Sequence, residues 1–125
     1  MRSCRVRASV LFTNTIDMIN RLGDSMRKGT LNHALKTYTS PDLLLLDELG
    51  YLPIDQRGAD LLFQVISARY ERASTVITSN KAYRQWAKIL NNDSALTSAV
   101  LDRLLHRCET VQISGKSYRM RKRID

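Results

Sequence analysis

Residues 43–53 read LLLLDELGYLP, and the fold turns on how this stretch is read. Four leucines follow one another with no polar residue between them, so the run predicts a strand covered on both faces. Asp47 and Glu48 come next, and Gly50, Pro53 and Asp55 then mark a loop. The strand therefore delivers two adjacent carboxylates to one end of a sheet. Carboxylates lose free energy when water is taken from them, so a pair in that place calls for a cation or a proton. A helix cap or a surface turn would account for the same two residues without chemistry.

The flanking sequence alternates strands with helices. Upstream, ASVLF (residues 8–12) is rich in strand formers. Asn14, with Asp17 three residues on, resembles a helix N-cap. Ile16, Ile19, Leu22 and Met26 then recur at helical spacing as far as Lys28 and Gly29. Leu31 to Tyr38 reads as a short helix that Ser40-Pro41 ends. Downstream, a helix is predicted over Ala59 to Arg72, a strand over Ser74 to Thr78 and a short helix over Tyr83 to Leu90. Asn91-Asn92-Asp93 breaks that helix, and Asp93 or Ser94 caps another running to about Arg107. Thr110 to Ile113 is the last strand; from Ser114 on, a hairpin and an extended tail are both open. Such alternation, with apolar strand centres, predicts an α/β layer fold on a parallel sheet.

Ligands of such sheets bind beyond the carboxyl ends of the strands, which is where Asp47 and Glu48 stand. In P-loop NTPases the strand-end Asp orients Mg²⁺, and an adjacent Glu can polarise the attacking water. The next strand ends in Thr78-Ser79-Asn80, whose polar side chains can bond the same water or a γ-phosphate. Arg103 and Arg107 lie four residues apart on one predicted helix face. Arginine suits a transferring phosphoryl group, often from a neighbouring subunit, although a salt-bridged surface pair would look the same. The phosphate loop itself, G-x-x-x-x-G-K-[ST], does not occur in these 125 residues. Gly115-Lys116-Ser117 comes nearest, but Thr110 stands where the first glycine belongs. The segment after it, YRMRKRID, is too short and charged to be a buried helix, so Gly115-Lys116-Ser117 reads as a turn.

At 125 residues one core is expected. The net charge of +8 and a pI near 9.9 favour contact with polyanions. Five of the eight residues 116–123 are basic, which makes Lys116, Arg119, Arg121, Lys122 and Arg123 candidate nucleic-acid contacts or a solvated tail. No apolar run exceeds four residues, against the roughly 20 that a membrane span needs, and MRSCRVR does not open a secretory signal. Cys4 and Cys108 read as reduced thiols of a cytoplasmic protein, and His33 and His106 as isolated residues that build no metal site.

Residues 43–80, LLLLDELGYLPIDQRGADLLFQVISARYERASTVITSN, and residues 98–119, SAVLDRLLHRCETVQISGKSYR, closely resemble the IstB-like ATPases. These are insertion-sequence transposition helpers related to the DnaC helicase loaders, within the AAA+ superfamily. The resemblance runs from about Ala8 to Arg119. It implies a three-layer P-loop NTPase (AAA+) sandwich with a parallel sheet, here without the strand and helix that carry the phosphate loop. On that reading residues 1–125 are a partial AAA+ domain, from Walker B to the C-terminal portion, with a basic tail over 115–125. Residues 1–7 would be the end of the Walker A helix of an N-terminally truncated member, and the sheet would keep unpaired edges where its strand is missing.

The resemblance also implies roles. Asp47 would orient Mg²⁺, Glu48 would be the catalytic base, and Asn80 the sensor 1 residue. Arg103 would be the arginine finger that completes a neighbour's site, supported by Arg107, with Arg119 a weaker nucleotide or DNA contact. ATP and Mg²⁺ would be the cofactors, and DNA, a transposase and further copies of the chain the partners. A DnaC-like helicase loader and a non-hydrolysing DNA-binding remnant are the alternatives. Without the phosphate loop, nucleotide binding by this chain is expected to be weak or absent.

Overall fold

The computed structural model describes residues 9–106 and the backbone of residues 108–113 and 117–122. Among the described residues, five strands and five helices run in the order β1 (Val10–Asn14), α1 (Thr15–Arg27), α2 (Leu31–Thr39), β2 (Leu43–Leu49), α3 (Gln56–Arg69), β3 (Ser74–Ser79), α4 (Trp86–Ile89), α5 (Ser94–Leu105), β4 (Cys108–Ile113) and β5 (Ser117–Lys122). A single 3-10 turn, Tyr83–Gln85, leads into α4. The strands form one sheet in the order β1-β2-β3-β5-β4. β1, β2 and β3 are parallel neighbours, with Val10 opposite Leu43 and Leu43 opposite Ser74, as the alternation of strands and helices requires.

The C-terminal part resolves as a hairpin, with β4 and β5 antiparallel from Cys108–Lys122 to Ile113–Ser117. β5 also lies antiparallel to β3 over Ile77, Thr78 and Ser79. The far edge of β3, expected to be unpaired, is therefore covered along those three residues.

The core sits on one face of the sheet. Leu44, Leu46 and Ile77 point into it and meet Met18, Leu22, Leu61, Leu62, Val65 and Val100 from α1, α3 and α5. Each such side chain contributes about 1.5–3 kcal/mol by leaving water. The alternate residues face the other way. Val10 and Phe12 are 58% and 65% exposed, and Leu43, Leu45 and Val76 are only half-buried. Of the three layers expected, the described residues form two, the sheet and one layer of helices. The four leucines are thus buried in alternation rather than throughout, because an unbroken apolar run does not say what covers each face.

Local signals account for the helix ends. The Asn14 side chain accepts from Ile16 N, 2.9 Å, and starts α1 as predicted. α3 begins at Gln56, three residues before the predicted Ala59, because Asp55 caps it through Gly58 N at 2.8 Å. A β-carbon on Gly58 would stand 2.7 Å from Ile54 Cγ2 and 3.0 Å from Ile19 Cγ2, so glycine lets α3 approach α1 closely. α3 ends at Arg69 rather than Arg72. Asn91 and Asn92 both take left-handed backbone, φ +61° and +59°, and end α4 where the sequence places the break. Asp93 caps α5 through Leu96 N.

Arg69 deserves its burial of 99% by what it bonds. Its guanidinium donates to the carbonyls of Tyr38, Pro41 and Ser74 and to Thr75 Oγ1, so one side chain ties the end of α2 to the starts of β2 and β3. Burial holds its pKa below the ordinary arginine value, and the charge of Asp42 partly offsets this. Among the described residues no helix is long and apolar enough to cross a membrane.

Candidate functional site

β2 does not end as a regular strand. Its register with β3 shifts between Leu46, opposite Ile77, and Leu49, opposite Ser79. Asp47 and Glu48 therefore share the space facing Thr78 alone, which is a β-bulge. Glu48 takes left-handed backbone, φ +64°, a conformation that costs a residue with a β-carbon about 1–2 kcal/mol. Bulges re-aim side chains at strand ends, and this one turns both carboxylates toward the carboxyl edge of the sheet.

Neighbouring strands hold the pair. Thr78 Oγ1 donates to Asp47 Oδ1 and accepts from Glu48 N at 3.0 Å. Asn14 Nδ2 donates to Glu48 Oε1 at 2.5 Å, while its Oδ1 caps α1. Thr15 Oγ1, buried, donates to the Asp47 carbonyl at 2.9 Å. Ser79 Oγ, also buried, donates to the Leu49 carbonyl at 2.6 Å and accepts from Lys81 N. Hydrogen bonds to a carboxylate are about twice as strong as neutral ones, so the donors of Asn14 and Thr78 fix the orientation of both acids. The carboxylates are half-buried and keep acceptor capacity for a further ligand.

Asn80 stands one step beyond this cluster. Its Oδ1 is buried and has no hydrogen-bond partner, and it lies 3.2 Å from where a β-carbon on Gly50 would be. It therefore faces the turn after β2, and Thr78 is the β3 side chain that bonds the acidic pair. Asn14 and Thr78 were not singled out as site residues from sequence. The signal for Asn14 was hidden by its role as a cap: an amide has two ends, and parallel register places Asn14 opposite Asp47. Thr78 was visible only as one of three polar residues.

Arg103 is not brought to this cluster. Its guanidinium lies 5.0 Å from the Phe63 ring centroid and 5.8 Å from that of Tyr70, and donates to the Ala99 carbonyl at 3.2 Å. It lines a cavity of about 300 Å³ with Arg69, Arg72, Ser74 and His106, at the amino end of β2 and β3. His106, read as isolated, pairs with Glu71 at 2.8 Å and packs against the Tyr70 ring at 5.3 Å. Arg107, Lys116 and Arg123 lie outside the described residues, and Arg119, Arg121 and Lys122 contribute backbone to β5. No group of three or more His, Cys, Asp or Glu side chains among the described residues could hold a metal ion by itself.

Similar folds and similar sequences occur among known proteins. The fold matches AMPPCP-bound DnaA from Aquifex aeolicus with a TM-score of 0.64 at 21% identity, over 76% of this chain and 29% of that one. It matches a DNA replication initiation factor with a TM-score of 0.62 at 23% identity, over 77% of this chain and 29% of the other. At such identities the likeness establishes the AAA+-type α/β fold. Sequence relatives are nearer, and each is named for ATP binding. They are proteins of insertion sequence IS5376 of Geobacillus stearothermophilus, 41% identical over 90% of this chain, of IS232 of Bacillus thuringiensis, 40% identical over 95%, and of IS21 of Pseudomonas aeruginosa, 38% identical over 91%. The matches cover 44%, 47% and 43% of those proteins, so the chain spans less than half their length. The profile of the IstB-like ATP binding proteins matches residues 1–125. This chain belongs to the IstB-like ATP binding protein family of insertion sequences.

Proposed function

We propose that the chain supplies the magnesium-orienting and water-activating half of an ATP site in a helper protein of DNA transposition. The observation that carries this reading is the bulge at the end of β2, where Asp47 and Glu48 are held by Thr78 and Asn14. The donor set fits the group. Mg²⁺ takes one or two carboxylates and completes its shell with water and phosphate oxygens, and Asp47 Oδ2 is not engaged by Thr78. When bound, ATP would supply the electrophilic phosphoryl group and Mg²⁺ would polarise it.

The chain's own residues do the rest. Asp47 orients the ion. Glu48, fixed by Asn14, takes a proton from the attacking water through its second carboxylate oxygen. Asn80 offers a buried acceptor that has no protein donor and is suited to position that water. Arg103 sits at the opposite pole of the sheet, so it serves the site of an adjacent copy in a homo-oligomer rather than its own. The basic residues Lys116, Arg119, Arg121, Lys122 and Arg123 contact DNA, and a transposase is the protein that the complex stimulates. A helicase loader would differ from this reading in its partner.

The bare sheet face supports the idea of a half-site. Val10, Phe12, Leu43, Leu45 and Val76 lie below Asn14, Asp47 and Thr78 on the same face. The connections from β1 to β2 to β3 place their helices on the other face, and a right-handed connection entering β1 from beyond β3 would cross this one. Such a helix would bury the apolar row and bring its N-terminus toward the acids, where a phosphate is favoured.

The test compares the 125-residue chain with a hybrid in which it replaces the matching segment of the IS21 relative. Saturable binding of ATP with Mg²⁺ is expected in the hybrid and not in the chain alone. Asp47→Ala should remove the magnesium dependence. Micromolar binding by the chain alone, or magnesium dependence that survives Asp47→Ala, would overturn the reading.

A further inference from the structure

The turn between β2 and α3 pushes two apolar side chains into water. Tyr51 is 55% exposed and Leu52 57%. Neither belongs to the core or to the acidic cluster. The turn is nevertheless held at both ends: Leu49 O accepts from Ser79 Oγ, Tyr51 N donates to Glu48 O, and buried Ile54 donates through its N–H to Ile89 O at 3.1 Å. Gly50, at φ +98°, makes the corner. A β-carbon there would stand 2.9 Å from Lys81 Cγ. Tyr51 and Leu52 are thus displayed on a fixed support, at a hydration cost that the core does not repay.

The segment that holds the turn carries three cations. The Lys81 stem packs at Gly50 beside one anchor, and Lys88 immediately precedes Ile89, which holds the other. Arg84 lies between them and is exposed, as is Lys88. None of the three has a carboxylate within ion-pair distance among the described residues. The nearby acids are held by other partners: Glu48 accepts from Asn14 through Oε1, and Asp55 caps α3. An exposed aromatic ring on a turn that packs against a segment with three unpaired cations is the combination that single-stranded nucleic acid takes, with a base on the ring and phosphates on the cations. An apolar protein surface would use the ring but leave the three cations unmatched.

We infer that Tyr51 and Leu52, with Lys81, Arg84 and Lys88, form a binding surface for single-stranded nucleic acid, Tyr51 serving as the stacking platform. The inference rests on the reading of DNA as a partner, and it locates a contact apart from the basic C-terminal residues. Because Tyr51 N bonds the carbonyl of Glu48, the strand would sit three residues from the proposed base.

The experiment is fluorescence anisotropy of a labelled oligothymidylate with the full 125-residue chain, across a series of salt concentrations. Tyr51→Ala should weaken binding about 5- to 150-fold, the loss of one stacked base, and Tyr51→Phe should stay within about twofold of the parent. Lys81→Glu with Arg84→Glu should weaken binding and flatten its salt dependence. Unchanged affinity in Tyr51→Ala, or an equal loss in Tyr51→Phe, would overturn the inference, with circular dichroism confirming the fold of each variant. Binding abolished by deleting residues 115–125 but indifferent to Tyr51 would overturn this assignment and leave DNA as a partner. No binding by the parent chain would overturn both. A change of sedimentation state in Tyr51→Ala, with unchanged oligonucleotide binding, would show the surface to be a contact between copies.

Discussion

The two ends of the parallel sheet handle buried polar groups in opposite ways. At the amino end, Arg69 is buried and spends its donors on three carbonyls and a hydroxyl from surrounding segments. At the carboxyl end, Asp47 and Glu48 sit on a bulge with left-handed backbone at Glu48, each held by one side-chain donor. Asn80 Oδ1 there has no partner at all. The Arg69 guanidinium at the amino end is saturated and therefore structural. The carboxyl end keeps strain and unused acceptors, as expected where a ligand rather than the protein completes the bonding.

Three substitutions sharpen that contrast, from the largest effect to the smallest. Arg69→Met should destabilise the chain by about 3 kcal/mol or more, because each buried carbonyl left without a donor costs about 1–3 kcal/mol. Urea unfolding measures this, and a loss below about 1 kcal/mol would mean that the amino end is not the structural one. Thr78→Val should cost about 1–2 kcal/mol by removing the donor to Asp47 and the acceptor for Glu48 N. If it cost as much as Arg69→Met, the two ends would not differ in kind. Glu48→Gly should change stability by less than about 1 kcal/mol and in the stabilising direction, since glycine accepts φ +64° without penalty. A clear destabilisation would show that Glu48 is held there by folding rather than by function.

Much of this arrangement is legible in the sequence. The leucine run, the break at Asn91-Asn92 and the caps at Asn14 and Asp93 depend on neighbours in sequence, and each appears where the residues place it. The carboxylate pair at a strand end follows from the same local logic. What was not legible depends on distant pairing. The sequence of Asn14 says nothing of Glu48, 34 residues away, until parallel register sets the ends of β1 and β2 side by side. In sequence Arg69 is one more residue of the helix predicted over Ala59 to Arg72, and its bonds go to segments that only the fold assembles. The bare face of β2 is not legible in sequence, because leucine suits a covered and an uncovered strand alike, and burial alone separates Leu44 and Leu46 from Leu43 and Leu45.

The central claim is that the carboxyl end of β2 carries the chemistry, with Glu48 as the base. The direct measurement is ATP hydrolysis and ATP binding, side by side, in the hybrid with the IS21 relative carrying Glu48→Gln. Glutamine keeps the shape and the bond from Asn14 but cannot take a proton. The account predicts that nucleotide affinity stays within a few-fold while hydrolysis falls about 10²- to 10⁴-fold. Hydrolysis at the parent rate in the Glu48→Gln hybrid would contradict it.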